Sequence, residues 1–116
     1  MHDSDEALMA RVARGDELAY RLLTRRHLPA MLGLARRILG NTADAEDVAQ
    51  EAMLRVWTHA PRWQPLALFR TWLTRVVVNL CLDRQVAEIL DTSVSAVETL
   101  LVRGKQNLRR ALDSVD

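Results

Sequence analysis

Apolar residues recur every three or four positions through most of this 116-residue chain, which is the spacing of one helical face. A first stripe follows Ser4 and a second follows Asp16, and both residue types cap helix starts. Gly15 and Gly40 favour helix ends, and Pro29 is expected to kink or restart the second helix. The inward-facing residues of the two stripes are Leu8, Met9, Val12, Ala13, Leu18, Ala19, Leu22, Leu23, Met31, Leu32, Leu34, Ala35, Ile38 and Leu39.

Two further amphipathic segments occupy residues 42–84. We expect one helix to begin at Thr42 or Asp44, and another to run from about Ala67 to Arg84. The loop between them spans residues 61–66 and is bounded by prolines. The first of these helices turns inward Ala45, Val48, Ala49, Ala52, Met53, Val56 and Trp57. The second turns inward Leu68, Phe69, Trp72, Leu73, Val76, Val77, Leu80 and Cys81.

The last part of the chain has the pattern of a helix-turn-helix. A short amphipathic segment ends at Leu90, the polar residues 91–93 form a turn, and a longer helix runs from Val94 to about Leu112. The scarcity of turn formers, with 4 Gly and 3 Pro, completes the prediction of an all-helical (all-α) protein.

Composition excludes several classes of protein. No apolar run approaches the roughly 20 residues of a membrane span, so no membrane insertion is expected. The lone Cys81 excludes an internal disulfide and fits the reducing cytosol. The histidines have no metal-ligand spacing, so no metal site is predicted, and His2, His27 and His59 are expected at the surface or at helix caps.

Charge is segregated along the chain although the net charge is only +1. Residues 21–40 carry five arginines and no acid, and residues 41–60 carry four acids and one base. Residues 61–84 return to four arginines and one acid. The alternation predicts two kinds of partner, a polyanion and a basic surface.

Two stretches carry a resemblance to a known family. DAEDVAQE (residues 44–51), continuing to LRVW (54–57), is similar to the core-polymerase-binding helix of bacterial sigma factors. FRTWLTRVVVNLCLDR (69–84) resembles their promoter-melting helix, and its aromatic, Trp-Leu, Asn and Asp-Arg pattern is typical of the extracytoplasmic-function (ECF) group. Residues 86–112 are similar to the helix-turn-helix of that group's second domain.

The resemblance implies a sigma region-two domain over residues 1–84 and a partial region-four helix-turn-helix over residues 85–116. It implies a cytoplasmic specificity subunit that binds core RNA polymerase, recognises promoter DNA, assists its melting and is held by an anti-sigma factor. The chemistry of RNA synthesis belongs to the polymerase, so the resemblance implies neither an enzyme nor a cofactor.

The resemblance also assigns three sets of site residues. Core polymerase would be bound by Asp44, Glu46, Asp47, Gln50, Glu51 and Leu54. The −10 element would be read and melted by Arg62, Trp63, Arg70, Trp72, Arg75, Asn79 and Arg84. The −35 element would be bound by Ser95, Ala96, Glu98, Thr99, Arg103 and Lys105.

The sequence departs from the family where Arg84 runs directly into Gln85, because the interdomain linker and the first helices of the second domain are missing. Two promoter elements about 17 base pairs apart are separated by roughly 55–60 Å. The ten residues to Val94 reach only about 35 Å. An internal deletion and an unobserved segment both remain open. So do two rival functions, a stand-alone helix-turn-helix regulator and a helical decoy or interaction module bound by an anti-sigma factor.

Overall fold

The computed structural model describes residues 3–66 and 68–113, in which every regular element is helical. The elements are α1 (Asp5–Val12), α2 (Glu17–Leu39), α3 (Thr42–His59), a 3-10 turn (Ala60–Arg62) and α4 (Phe69–Asp113). The all-α prediction is therefore confirmed. Ala67, the expected start of the last helix, lies outside the described residues, as does His2.

Local capping places the ends of the first helices. The Ser4 hydroxyl accepts a hydrogen bond from the Ala7 N–H at 3.0 Å, and Asp16 Oδ1 accepts one from the Leu18 N–H at 3.0 Å. Gly40 ends α2 with φ +70°, a left-handed conformation that glycine adopts without strain. These caps are the ones the sequence predicts.

The structure confirms one helix boundary and corrects another. α3 begins at Thr42, one of the two predicted starts, and Asn41 caps it because its side-chain Oδ1 accepts from the Asp44 N–H at 3.1 Å. Pro29 does not restart the chain, since α2 runs through it. Buried residues on both sides of the proline, Leu23 and Met31, hold the helix against the core and compensate for the missing hydrogen bond.

The chain divides into two units, residues 1–83 and 84–116. In the first unit α2 packs against both α1 and α3, and the 3-10 turn contacts α1 and α3. Phe69, Leu73, Val77 and Cys81 of α4 are fully buried, at the four-residue spacing of one helical face. The other core residues are Leu8, Met9, Val12, Ala19, Leu23, Met31, Ala35, Ala45, Val48, Ala49, Ala52, Met53, Val56 and Ala60.

Some predicted core positions are exposed instead. Leu68 precedes the first turn of α4 and is 69% exposed, while Leu18 and Leu22 lie on the outer side of α2. Ala13 is exposed because it follows the last residue of α1. A second group of predicted core residues is only partly buried against the core: Leu32, Leu34, Ile38, Leu39, Trp57, Trp72, Val76 and Leu80.

A polar cluster joins α1 to α2 and corrects the surface assignment of His27. His27 is buried, its Nε2 lies 2.8 Å from Asp5 Oδ1, and Arg26 donates to the same oxygen at 2.9 Å. Burial raises the pKa of Asp5, but the hydrogen bonds from His27 and Arg26 outweigh it and hold the pKa below its ordinary value of 3.8. The ionised carboxylate therefore stabilises the contact between the two helices.

Replacing Asp5 by Asn is expected to lower the free energy of unfolding by about 1–2 kcal/mol at neutral pH. Because the folded-state pKa is depressed, this difference should be present above pH 3.8 and disappear as the pH falls through the lower folded value. Urea unfolding across this pH range measures it. Glu17→Gln, which removes only the exposed pair with Arg21, is the control. A difference that grows in acid would contradict the assignment.

In the second unit, the predicted turn at residues 91–93 is absent, because α4 is helical throughout them. No glycine or proline occurs between residues 85 and 103 to break the helix. Thr92 donates its hydroxyl to the Glu88 carbonyl at 2.9 Å, a bond that is compatible with the helix. Every described residue from 86 to 113 is exposed, so this unit contains no core against which a hairpin could fold.

Candidate functional site

One face of α3 is acidic and exposed. Asp47, Gln50, Glu51 and Leu54 are all exposed and lie three, four or seven residues apart, which places them on one side of the helix. The buried residues of α3 occupy the opposite side. Asp44, which is half-buried, and Glu46, which is exposed, flank this row.

The apolar member of this face lies at its end nearer the C-terminus of α3. Leu54 is 55% exposed, and Glu51 forms an exposed pair with Arg55 at 3.5 Å. An acidic row that ends in an exposed leucine can attract a basic surface and then bury an apolar contact. The structure thus brings all six residues of the first predicted set onto one continuous part of α3. We call this set the acidic face.

A cavity of about 280 Å³ lies where the end of α3, the loop and the start of α4 meet. The His59 ring stacks on the Trp72 indole, with ring centres 4.8 Å apart and planes 17° from parallel. Trp63 meets Trp72 edge to face at 5.5 Å. The lining residues are His59, Arg62, Trp63, Gln64, Leu66 and Trp72. We call this site the aromatic pocket; its size suits one small planar group.

Trp63 supplies a polar atom that is not used within the described part of the chain. Its Nε1 is buried and has no hydrogen-bond partner there. A buried donor without a hydrogen-bond partner costs folding free energy. An acceptor that reaches this N–H would therefore stabilise the site. Trp63 also lines a neighbouring cavity of about 330 Å³ beside α1, so its indole borders both spaces.

The basic and amide side chains of α4 are only partly gathered at the pocket. Arg75 and Asn79 are exposed, three and seven residues beyond Trp72, and therefore share its face. Arg70 lies two residues before Trp72 and projects from another side of the helix, and Arg84 belongs to the second unit. The residues predicted to read and melt the −10 element are thus divided. Five of the seven line the pocket or share the face of Trp72.

Sequence reasoning missed one residue of the pocket and did not single out two others within the candidate loop 61–66. His59 was assigned to the surface or to a cap, yet it is half-buried on Trp72. Gln64 and Leu66 belong to a loop that the prolines marked, but nothing in their spacing singles them out. The thirteen-residue separation of His59 and Trp72 crosses a loop, so helical periodicity could not align them.

The residues predicted to bind the −35 element lie on α4 within the second unit, and all of them are exposed. Ser95, Glu98, Thr99 and Arg103 share one side of the helix. Ala96 and Lys105 lie outside that row. The Thr99 hydroxyl donates to the Ser95 carbonyl at 3.0 Å. Since the turn is absent, no second helix among the residues described in this unit presents this row.

Residues 23–87 match the family model of sigma-70 region 2. The chain is 31% identical over 110 residues to an RNA polymerase sigma-H factor from Pseudomonas aeruginosa, covering 92% of this chain and 57% of that protein. It is 41% identical over 81 residues to the ECF RNA polymerase sigma factor SigM from Mycobacterium tuberculosis, covering 70% and 41%. The chain therefore spans about half the length of the curated relatives it matches.

Two solved structures share the fold. One is an engineered region 2 of sigmaE in complex with GTAAAA, at TM-score 0.68 and 31% identity, covering 76% of this chain and 94% of that one. The other is CnrH in complex with the cytosolic domain of CnrY, at TM-score 0.64 and 32% identity, covering 70% and 53%.

Fold and family model together define a helical module of the sigma region 2 class. The chain belongs to the sigma-70 region 2 family, and the resemblance to ECF sigma factors is confirmed. No helix within the described residues is long and apolar enough to span a bilayer.

Proposed function

We propose that this chain is an ECF-type sigma factor that works in the cytoplasm, binds core RNA polymerase, directs it to promoters and assists their melting. It acts by binding and not as an enzyme. The observation that carries the proposal is that one small helical unit presents both the acidic face and the aromatic pocket. The relatives, all named as RNA polymerase sigma factors, support it.

The acidic face would dock on a basic surface of the polymerase. Its carboxylates accelerate encounter and select the partner, and Leu54 provides an apolar anchor. The face needs no rearrangement before docking, because α3 is capped by Asn41 and held by its buried side.

The aromatic pocket would hold one unstacked base of a separated promoter strand. The sigmaE region 2, solved in complex with GTAAAA, supports a short nucleotide sequence as a ligand for this fold. A sigma factor hydrolyses no nucleotide, so melting must be driven by tighter binding to the open strand than to the duplex. A base stacked on an aromatic side chain contributes about 1–3 kcal/mol, which offsets part of the unstacking cost.

Asn79 and Arg75 would extend this contact along α4. The Asn79 amide offers both a donor and an acceptor to a base edge, and Arg75 can bind phosphate. Arg62, at the rim of the pocket, would bind a second phosphate. Arg70 and Arg84 would contribute only to the general attraction for the strand.

The domain assignment is part of the proposal. Residues 1–84 would form region two, and residues 85–116 would be a remnant of region four that carries the −35 residues. The match to the sigma-H factor, which covers 92% of the chain, supports this assignment. CnrH, solved with the cytosolic domain of CnrY, supports a protein regulator of the anti-sigma type for this chain too.

The continuous helix in the second unit favours the decoy over the stand-alone helix-turn-helix regulator as the alternative function. A stand-alone helix-turn-helix regulator needs two helices joined by a turn, whereas the described residues of this unit all belong to α4. A module that holds polymerase without reading the −35 element, such as a decoy, needs only the first unit. The two remaining functions differ in whether bound polymerase initiates.

Run-off transcription with core polymerase on a promoter library tests the proposal. We expect transcripts from a subset of promoters that depends on added chain. Tight core binding without transcripts would favour the decoy. Duplex binding in the absence of core polymerase would favour the regulator.

Trp72→Ala is expected to weaken binding of a fluorescent single-stranded −10 oligonucleotide about 10–100-fold, because one stacking surface is lost. Trp57→Ala is the matched control, since Trp57 on α3 is also half-buried but packs edge to face against Tyr20 of α2, outside the pocket. Asn79→Ala, at an exposed position, tests the same site without disturbing the core. Equal losses for the two tryptophan variants, with no loss for Asn79→Ala, would remove the pocket assignment.

A further inference from the structure

The second unit has a clean apolar face that no described residue covers. Between residues 86 and 112, nine large aliphatic side chains lie on one side of the helix, each 54–65% exposed. Its central members are Val86, Leu90, Val97, Leu101, Leu108 and Leu112, four or seven residues apart. Exposed apolar patches of this extent mark interaction surfaces, and an isolated helix is marginal in water. We call this face the aliphatic stripe.

We propose that the aliphatic stripe is an interface between two copies of this chain, paired antiparallel. The area is sufficient. At about 60–120 Å² for each buried aliphatic side chain, nine of them would remove roughly 500–1,000 Å² per copy. A stable interface needs about 800 Å² per partner.

The charge distribution along the helix favours a second copy as the partner and an antiparallel direction of pairing. Residues 86–101 carry three acids and no base, whereas residues 102–113 carry four bases and one acid. Antiparallel pairing sets the acidic half of one copy against the basic half of the other. Parallel pairing would place like charges together, which is unfavourable.

Side-chain size fixes the register. If Leu100 lies opposite Leu101 of the second copy, then Val97 lies opposite Gly104 and Ser93 opposite Leu108. Val97 and Leu108 then each face a small residue, while Leu100 and Leu101 meet each other at the centre, which allows close packing. A Cβ at Gly104 would meet nothing within 4 Å in the single chain, so this position leaves open space for a partner's side chain.

The stripe does not follow a strict seven-residue repeat. Its members repeat about every 3.7 residues. This period is closer to the 3.6 residues per turn of a straight α-helix than to the 3.5 of a left-handed coiled coil. We therefore expect a short pair of crossing helices about 40 Å long rather than an extended supercoil.

Light scattering of the full-length chain tests the interface. We expect twice the 13.2 kDa chain mass at tens of micromolar. Leu101→Glu should weaken the dimer at least about 100-fold, because each dimer loses two buried leucines and gains two buried charges. Val102→Glu is the matched control, since Val102 is equally exposed but lies on the polar side of the same helix. A monomeric wild type, or a dimer that resists Leu101→Glu, overturns the proposal.

Cross-linking tests direction and register. Ser93→Cys and Leu108→Cys chains should cross-link to each other when mixed, and neither should cross-link to itself. The wild type is the negative control, because its only cysteine, Cys81, is buried and should not cross-link. Self-cross-linking of Ser93→Cys would show parallel pairing and overturn the antiparallel arrangement. The tryptophans all lie in the first unit, so their unchanged fluorescence confirms that each variant keeps that fold.

Discussion

Reversing Asp47 and Glu51 together to arginine is expected to lower affinity for core RNA polymerase about 100-fold or more. Both side chains are exposed on the acidic face, and the change would replace two negative charges by two positive ones opposite a basic partner. Like charges brought together at an interface cost several kcal/mol. Binding to labelled core enzyme at two salt concentrations measures the effect.

The fold should survive this double change. Both positions lie opposite the buried side of α3, and the pair that Glu51 makes with Arg55 is exposed. The circular dichroism spectrum and the melting temperature should therefore stay close to those of the wild type. Glu17→Arg, a charge reversal at an exposed position on α2, is the control and should bind core normally. Unchanged affinity in the double variant would show that polymerase docks elsewhere.

Phe69→Ala is expected to cost about 3–5 kcal/mol of folding free energy, a large part of the stability of a small domain. The Phe69 ring is fully buried and contacts three others: His27 at 5.2 Å, Trp63 at 5.8 Å and Trp72 at 5.9 Å. Its loss would leave a cavity beneath the aromatic pocket and loosen the pocket's two indoles. Urea unfolding followed by tryptophan fluorescence reports on the first unit alone.

Leu68→Ala is the matched control for Phe69→Ala. The two residues are adjacent in sequence, but Leu68 is 69% exposed and should change stability by less than about 0.5 kcal/mol. Similar losses at both positions would mean that Leu68 is buried in solution, as the sequence pattern predicted. Single-stranded DNA binding should fall with Phe69→Ala even where the variant remains folded, because the pocket rests on this ring.

Local physics made much of the first unit predictable. Ser4 and Asp16 begin helices because their side chains accept backbone N–H groups two or three residues away, an interaction that needs no tertiary partner. The acidic face of α3 was predictable for the same reason, since the helical period alone separates its carboxylates from the buried side.

Positions that depend on distant partners were not predictable in the same way. His27 is buried because Asp5, 22 residues earlier, pairs with it, and the Phe69 N–H reaches Glu6 Oε1 across 63 residues at 3.4 Å. His59 became a pocket residue only when the loop folded it onto Trp72. No periodicity encodes these contacts, because each joins two separate elements.

The chain by itself determined that it is helical, where its first helices begin and end, and which side of α3 is charged, because these follow from bonds and spacings within one or two turns. Only the tertiary structure decided that Pro29 stays inside a helix, that Leu68 faces outward and that residues 91–93 do not turn. Each of those outcomes depends on packing. A buried face holds α2 through its proline, whereas the second unit contains no core to bend its helix back.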